Sequence, residues 1–365
     1  MLRTAPVKGE SRGPDKHACK GIDIEQYGAS GRAAGTDATT TETACLGRLA
    51  PDPQAAGSMF TATECQCSSR CLLAALLRSD PSVTNSRTIR LGLVQPRSFW
   101  GSDEEQNVAA ALDWLDRCAE SSVQLVVFPE GYPGPTNPRN RYNALPPLAE
   151  KAAQLGLHVV AGNIEPAAEG GYHVVLHLID DHGRTIGSYR RTHPRDTHVY
   201  RDIEMWGFDY RGSSNMPIVF ETALGRIGLL VCSEVYVPEL SRALALQDAD
   251  VIVYPAGGGQ GEIIPNWQTV LAARAIENIV YTAASQNLNA PAERGLGMIA
   301  SPEGILATRS GAGLIIADLD MDRLAYLRSE DQRIEVPRRC LTMPGLLRWR
   351  RPEIFRDEPQ QVSSA

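Results

Sequence analysis

The pattern of apolar and polar residues changes at about residue 88. Residues 1–87 are dominated by Gly, Ala, Ser, Thr and Pro and keep neither a helical nor a strand period. A segment of this kind buries too little apolar surface to offset the entropy lost on folding. We therefore predict a disordered extension over 1–87, in which the apolar run 71–79 is either a short amphipathic turn docked on the domain or a fraying helix.

Between about residues 88 and 347, short apolar runs alternate with segments that carry apolar residues at helical spacing. The apolar runs predict strands at 88–96, 123–131, 157–164, 172–183, 185–191, 216–225, 226–232, 250–256, 281–287, 297–304 and 313–320. The periodic segments predict helices at 103–121, 147–156, 238–249 and 267–280. Strands that are apolar on both faces are typical of a sheet covered by helices, and adjacent strand pairs indicate sheet packed on sheet. The prediction is an α/β domain over 88–347, followed by a polar tail over 348–365.

Composition and charge narrow the classes of function. The chain is 43% hydrophobic, has a net charge of -7 and has no run of Lys or Arg that makes a basic patch of useful size. A phosphate-backbone binder needs a basic patch, so we predict that the chain binds no nucleic acid. The sequence nowhere has 18 consecutive apolar residues, and its first residues lack the apolar core of a signal peptide. These absences predict a soluble, cytoplasmic protein with no membrane partner.

The cysteines are unevenly placed, with five of the eight in the first 71 residues. A large chain without a secretion signal is not expected to carry a disulfide framework. The cluster "CQCSSRC", Cys65 to Cys71, could bind a metal together with His17 or Cys19, but it lacks the paired C-x-x-C spacing of structural zinc sites. We interpret these residues as free thiols and expect neither a metal nor a cofactor.

Three predicted strands end in residues that can carry chemistry. Glu130 ends "LVVFPE", Arg190 and Arg191 end "SYRR", and Cys232 ends "GLLVC". In sheets of this type ligands gather at the carboxyl ends of strands, so the three ends could meet. A Cys thiol needs a base or a nearby positive charge to become a nucleophile, and a Glu carboxylate can take and return its proton. Glu130 and Cys232 are therefore a candidate pair of base and nucleophile.

Each of these residues also has a structural interpretation. A Cys at the end of a buried strand is often a small core residue, and Glu130 after "FP" can cap the following turn. His193 can be a core or loop histidine, and its pairing with Cys232 is a rival arrangement. Residue types and positions alone leave these alternatives open.

The order of the motifs resembles the nitrilase, or carbon-nitrogen hydrolase, superfamily. The blocks are "VVFPEGYPG", "YRRTHP", "GRIGLLVCSEVYVPEL", "ARAIENIVY", "GMIASPEG" and "GLIIADLDMDRL". They occur in the family's order and at acceptable spacing, so that the resemblance covers essentially all of residues 88–328. The resemblance implies a four-layer α-β-β-α sandwich that assembles as a homodimer or a larger homo-oligomer. It also implies that Glu130 is the general base and Cys232 the nucleophile.

The resemblance fails at one position of the implied site. The family pattern Tyr-Arg-Lys-x-His falls on residues 189–193 and puts Arg191 where a lysine stabilises the anionic intermediate. A guanidinium is planar, bulkier than an ammonium and effectively never deprotonated, so the exchange is not neutral. The family's second Glu is best matched by Glu204 in "YRDIEMWGF". We therefore expect Glu130, Arg191, Cys232 and Glu204 to form the catalytic set.

The implied reaction is hydrolysis of a non-peptide C–N bond in a small molecule, either an amide or a carbamoyl-amide, through a thioester on Cys232. The backbone N–H of Ser233 is expected to contribute to an oxyanion hole. Tyr132, Tyr236 and Trp206 are candidate pocket walls, with core packing an equal alternative. A nitrile ranks below amides, because Ser233 stands where typical nitrilases carry Trp.

Two other functions stay open at this point. If the lysine must approach the substrate closely, the chain is a catalytically silent family member that acts as a binding or assembly protein. The same residues could also transfer the acyl group to an amine instead of water.

Overall fold

The computed structural model of the chain describes residues 87–136, 140–166, 172–192, 217–258, 261–289, 294–329 and 340–352. The predicted extension at 1–87 lies, except for Arg87, outside these ranges and stays a prediction, as does most of the tail at 348–365. Within the described ranges, no helix is both long and apolar enough to cross a membrane.

Twelve strands and five α-helices form the described part of the chain. The strands are β1 (Thr88–Gln95), β2 (Leu125–Val127), β3 (His158–Pro166), β4 (Tyr172–Ile179), β5 (Thr185–Arg190), β6 (Val219–Thr222), β7 (Gly225–Leu229), β8 (Val251–Val253), β9 (Tyr281–Ala284), β10 (Gly297–Ser301), β11 (Gly304–Arg309) and β12 (Gly313–Asp320). The helices are α1 (Gln106–Glu120), α2 (Leu145–Leu155), α3 (Pro238–Ala245), α4 (Ile264–Asn278) and α5 (Met321–Arg328).

The strands form two six-stranded sheets of similar design. The first has the order β12-β1-β2-β3-β4-β5, and the second has the order β11-β10-β9-β8-β7-β6. In each sheet three neighbouring strands are parallel, β1 to β3 in the first and β7 to β9 in the second, and the flanking strands pair antiparallel. Parallel strands run their carboxyl ends to one edge, which is where the loops of a site are expected.

Side-chain alternation along the strands builds a core on each face of the first sheet. Leu93 joins the core shared with the second sheet, whereas its neighbour Val94 joins a separate core with helix residues Leu115 and Leu148. This period of two is the expected consequence of strand geometry. Helices α3 and α4 cover the second sheet. The layers are therefore helices, sheet, sheet and helices, which confirms the predicted four-layer sandwich.

Two elements were not predicted as such. Strand β11 is largely exposed, so its sequence lacks the apolar alternation of a core strand. Helix α5 is short and carries Asp322 and Arg323, and it begins where the Asp320 carboxylate accepts a hydrogen bond from the Arg323 N–H at 2.8 Å. The secondary structure of both elements therefore depends more on contacts with neighbouring residues than on the periodicity of their own apolar residues.

Some predicted strands are shorter in the structure. The run 123–131 is strand only over Leu125–Val127, and the run 250–256 only over Val251–Val253. In both cases the chain leaves the ladder at the carboxyl end of the strand. The residues that follow, Glu130 and Gly257, lie in loops beside Cys232.

Candidate active site

The structure brings Glu130, Arg191 and Cys232 together at the junction of the two sheets. Glu130 follows β2 and Arg191 directly follows β5, both in the first sheet, whereas Cys232 follows β7 in the second. Arg191 and Cys232 are buried, with 1% and 8% of the residue exposed, and the Glu130 side chain is 13% exposed. The three strand ends therefore meet, as the sequence predicted.

Arg191 contacts two other residues of the site through the ends of its guanidinium. Its Nη1 donates to Glu130 Oε1 at 2.8 Å, and its Nη2 donates to Ser233 Oγ at 2.5 Å. The backbone N–H of Arg191 donates to Val174 O at 2.9 Å, which holds the residue on the end of the strand ladder. Two bonds from one planar group fix the relative positions of the carboxylate and the serine.

Cys232 begins a 3-10 turn, Cys232–Tyr236, and has φ of 49°. Left-handed backbone is uncommon for a residue other than glycine and is often found at functional sites. The Cys232 N–H donates to Pro255 O at 2.9 Å, which anchors the turn to the loop after β8. The thiol is thus presented from a sharp turn at the carboxyl end of a strand.

Burial raises the pKa of Cys232 to about 11, and the charge of Glu130 acts in the same direction. The charge of Arg191 and a hydrogen bond from the Gly257 backbone oppose these effects. Glu130 is the ionisable side chain that raises this pKa most, after burial itself. The resting group is therefore a neutral thiol with a carboxylate beside it to take its proton.

The two carboxylate oxygens of Glu130 have different surroundings. Oε1 accepts from Arg191, whereas Oε2 lies on the side of Gly257, where a Cβ on that glycine would be 3.0 Å from it. The backbone of Glu130 is held by Asn287, whose Nδ2 donates to Glu130 O at 2.8 Å. One oxygen is anchored by the guanidinium and the other is left facing the loop beside the thiol.

Glu234 was not assigned a role from the sequence, yet it connects the two halves of the site. It is fully buried and accepts hydrogen bonds from Tyr189 Oη at 3.0 Å, from Thr192 N at 2.8 Å and from Val231 N at 2.7 Å. Tyr189 and Thr192 flank Arg191, and Val231 precedes Cys232. An acidic residue two positions after Cys232, directly behind an apolar strand, was the available signal, but its partners Tyr189 and Thr192 lie 45 and 42 residues away in the sequence.

A cavity of about 20 Å³ adjoins Cys232 and contains two of the predicted positions, Ser233 and Tyr236. The Ser233 backbone N–H donates to no group among the described residues. Tyr132 is not part of this cavity, because it is buried beside Phe128 in the outer core and its hydroxyl donates to Asn107 O. Tyr132 thus packs in the core, and its part in a pocket wall stays a prediction. Glu204 and Trp206 lie outside the described residues, and their roles stay predictions.

Trp267 and Gln286 also line this cavity, and sequence reasoning missed both. Trp267 begins the helix-like run at 267–280 and Gln286 follows β9, so neither stands at the end of a motif. In the part of the chain that the structure describes, no group of three or more His, Cys, Asp or Glu side chains could hold a metal ion.

Comparison with known proteins agrees with this arrangement. The family model for carbon-nitrogen hydrolases matches residues 90–329. A deaminated glutathione amidase of Synechocystis sp. is 29% identical over 245 residues, which are 62% of this chain and 90% of that relative.

Two solved structures share the fold. A carbon-nitrogen hydrolase from Helicobacter pylori G27 gives a TM-score of 0.61 at 21% identity and covers 74% of this chain and 97% of its own. A mutant of the amidase from Nesterenkonia sp. AN1 gives 0.59 at 21% identity over 75% of this chain and 98% of its own. In that mutant the acetamide moiety of fluoroacetamide is added covalently at the active-site cysteine.

The family match spans about two thirds of the chain and includes all three residues that meet at the junction of the sheets. Similar curated relatives include deaminated glutathione amidases, an N-carbamoylputrescine amidase and an omega-amidase. The chain therefore belongs to the carbon-nitrogen hydrolase family and is an amidase-type hydrolase.

Proposed function

We propose that the chain hydrolyses small non-peptide amides by attack of the Cys232 thiol on the amide carbon. The observation that supports this most directly is the pair of Glu130 and Arg191, joined at 2.8 Å, beside a buried thiol whose pKa both residues influence. A neutral thiol beside a carboxylate can lose its proton as it attacks, without first forming a free thiolate.

In the first half of the reaction, Glu130 takes the thiol proton while the Cys232 Sγ–C bond forms and the carbonyl electrons move to oxygen. The backbone N–H of Ser233 and the charge of Arg191 stabilise that oxyanion. Glu130 then protonates the leaving nitrogen, and the C–N bond breaks to release ammonia or an amine. The product of this half is a thioester on Cys232.

In the second half, a water molecule attacks the thioester carbon and gives a proton to Glu130. The C–S bond breaks, the sulfur recovers the proton from Glu130, and the carboxylic acid leaves. Neither half needs a metal or an organic cofactor. Glu204 is proposed to help position the base and the cation, as the family resemblance implies.

The test is to trap the thioester. Wild type is mixed with a panel of short amides, quenched in acid and examined by mass spectrometry of the peptide that contains Cys232, while released ammonia is measured in parallel. We expect an acyl adduct on Cys232 and ammonia release, both absent from the Cys232→Ala variant. Ligand binding without adduct or ammonia would instead support the silent binding protein.

Transfer of the acyl group to an amine is separated by the same experiment with hydroxylamine added. Hydrolysis predicts carboxylic acid as the main product at low hydroxylamine. A hydroxamate that dominates under those conditions would contradict hydrolysis as the main activity.

Assembly as a homodimer or larger homo-oligomer and location in the cytoplasm also stay proposals. Exposed apolar side chains on α4 and on the turn Leu346–Trp349, namely Ile276 and Trp349, support the first, because a second copy could cover them. Light scattering after size-exclusion chromatography is expected to give at least twice the mass of one chain.

A further inference from the structure

The cavity beside Cys232 has an uncharged lining. It is formed by Cys232, Ser233, Tyr236, Ala256, Gly258, Ile263, Trp267 and Gln286, none of which is a Lys, Arg, His, Asp or Glu. Its volume of about 20 Å³ is close to what one water-sized group needs. No described residue of the lining offers a charge to pair with a charged group placed there, and burying an unpaired charge is unfavourable.

Trp267 lines this cavity and carries a donor without a partner among the described residues. The side chain is 2% exposed, and its indole N–H has no acceptor among the described residues. Buried polar groups almost always have a hydrogen-bond partner, so an orphan donor beside the nucleophile requires an explanation. Helix α4 is fixed to the Cys232–Tyr236 turn, since Arg274 Nε donates to Val235 O at 2.8 Å. The indole is therefore held in place relative to the thiol.

Gln286 contributes a second donor. Its Oε1 accepts from the Leu296 backbone N–H at 2.7 Å, which fixes which end of the carboxamide is oxygen. The NH₂ end faces the other way and makes no hydrogen bond with any described residue. Among the described residues, the cavity lining thus offers two neutral donors and no charged group.

The position of Glu130 decides which part of a substrate enters the cavity. Glu130 must protonate the leaving nitrogen, and it is not one of the residues that line the cavity. The leaving nitrogen then points to Glu130, and the acyl chain points away from it. The cavity is on the acyl side of the scissile bond.

We propose that the Trp267 indole N–H and the Gln286 amide bind an acceptor oxygen on a short, uncharged acyl group of the substrate. This inference rests on the proposed function and narrows it to amides such as 2-hydroxyamides, whose oxygen lies one carbon from the carbonyl. The volume admits only one or two heavy atoms beyond the carbonyl carbon. A carbamoyl group is disfavoured, because the N–H donors of its second nitrogen would face the N–H donors of Trp267 and Gln286.

The experiment compares glycolamide with propionamide, which have the same number of heavy atoms and differ by a hydroxyl in place of a methyl. Wild type is expected to favour glycolamide in kcat/KM by about tenfold or more, since a site built to hydrogen-bond a group discriminates against its absence. Trp267→Phe keeps an aromatic ring without the N–H. It is expected to lower kcat/KM for glycolamide by about 10- to 100-fold and for propionamide by less than about threefold.

Matched variants guard against a loss of folding. Trp114→Phe, on helix α1 where the indole packs against Arg117, is the control for a tryptophan replacement away from the site. Gln286→Glu keeps the oxygen that accepts from Leu296 and replaces the donor with an oxygen, so it is also expected to remove the preference for glycolamide. An equal effect of Trp267→Phe on both amides, or no preference in wild type, overturns the proposal.

Ligand-observed NMR on the Cys232→Ala protein separates this inference from the proposed hydrolysis. Tighter binding of glycolamide than of propionamide, lost when Trp267→Phe is added, supports the acyl site even if no amide is turned over. Turnover of both amides without a preference would support the proposed hydrolysis and contradict the proposed acyl site. Failure of the Cys232→Ala protein to bind glycolamide overturns the inference.

Discussion

Arg191 binds Glu130 and Ser233 at once through the two ends of its guanidinium. A lysine in this position carries its charge at one point and could not hold both partners with the same planar geometry. We expect Arg191→Lys to lower kcat/KM by about 10- to 100-fold, the cost of one lost charge-assisted hydrogen bond. Steady-state kinetics on the amide panel check this. An increase in kcat/KM would mean that arginine is less effective than lysine at this position. The proposed role of Arg191 in holding Glu130 and Ser233 would then be wrong.

The buried thiol of Cys232 is expected to stay protonated across the neutral range. Burial raises its pKa from 9.0 to about 11. The difference in absorbance at 240 nm between wild type and Cys232→Ser should therefore show no thiolate between about pH 6 and 9 and a rise only above that range. A thiolate signal at neutral pH would contradict the attack by a neutral thiol that Glu130 assists.

The same shift has a consequence for stability. A thiol whose pKa is raised by folding contributes stability that is fully present below the ordinary pKa of 9.0 and is lost as pH rises through about 11. The stability of wild type relative to Cys232→Ser should therefore fall between these two values of pH.

Glu234 is expected to act as a positioning residue. Glu234→Gln replaces a buried acceptor by an NH₂ group that faces the donors of Tyr189, Thr192 or Val231. We expect the free energy of unfolding to fall by about 1–3 kcal/mol. We also expect kcat to fall with little change in KM, because the thiol and Arg191 lose their common anchor.

Denaturant titration and steady-state kinetics measure these two effects. The exposed Glu239, on the first turn of α3, offers the matched control. Glu239→Gln should change the unfolding free energy by less than about 0.5 kcal/mol. A loss of stability in Glu234→Gln without any change in kcat would leave Glu234 a structural residue only.

Strand β5 carries Arg191 at its end and packs against β6 of the other sheet through Gly187. A Cβ on Gly187 would overlap the ring of Phe220. We expect Gly187→Ala to lower the free energy of unfolding by about 1–3 kcal/mol through overpacking and to lower kcat, because Arg191 lies four residues further on. Thermal melts and kinetics measure both.

The chain offers a control and a rescue for this variant. An added methyl at Gly311 meets nothing within 4 Å, so Gly311→Ala should be close to neutral. Adding Phe220→Leu to Gly187→Ala removes the ring that is overlapped and should restore part of the activity. No recovery in the double variant would show that the ring is not the cause.

At the scale of elements, the sequence predicted most strands because their apolar runs end at Pro, Gly or charge. It did not predict β11, whose side chains are mostly exposed, or α5, whose first turn depends on the Asp320 cap. It also could not supply the pairing of β5 with β4 or the opposition of Gly187 and Phe220. Those contacts join residues that are far apart in the chain and leave no local period.

At the scale of the whole molecule, every described strand and α-helix lies between Thr88 and Arg328. A chain that begins at Arg78 is therefore expected to keep the melting temperature and the kcat/KM of the full chain. Differential scanning calorimetry and kinetics on the two proteins test this. A lower melting temperature in the shorter chain would show that residues 1–77 contribute to the stability of the domain.

The candidate site was predictable only in part, because some of its residues depend on contacts between elements that are distant in the chain. Glu130, Arg191 and Cys232 end strands, so each carries a local signal. The proposed roles of Trp267, Gln286 and Glu234 depend on neighbours on other elements. For example, the Gln286 side chain accepts a hydrogen bond from the backbone of Leu296. Only the packed structure shows that the indole of Trp267 is left without an acceptor.

The base and the cation come from one sheet and the thiol from the other. Turnover therefore depends on the relative position of the two sheets, which the contacts of Arg191 with Ser233 and of Glu234 with Tyr189 hold at the site. Deletion of single methyl groups in the layer between the sheets, far from Cys232, should lower kcat. The reason is that such deletions misalign the two parts of the site. For the same reason, activity is expected to be lost at a lower temperature or pressure than secondary structure. Loss of turnover would then indicate a shift of one sheet relative to the other.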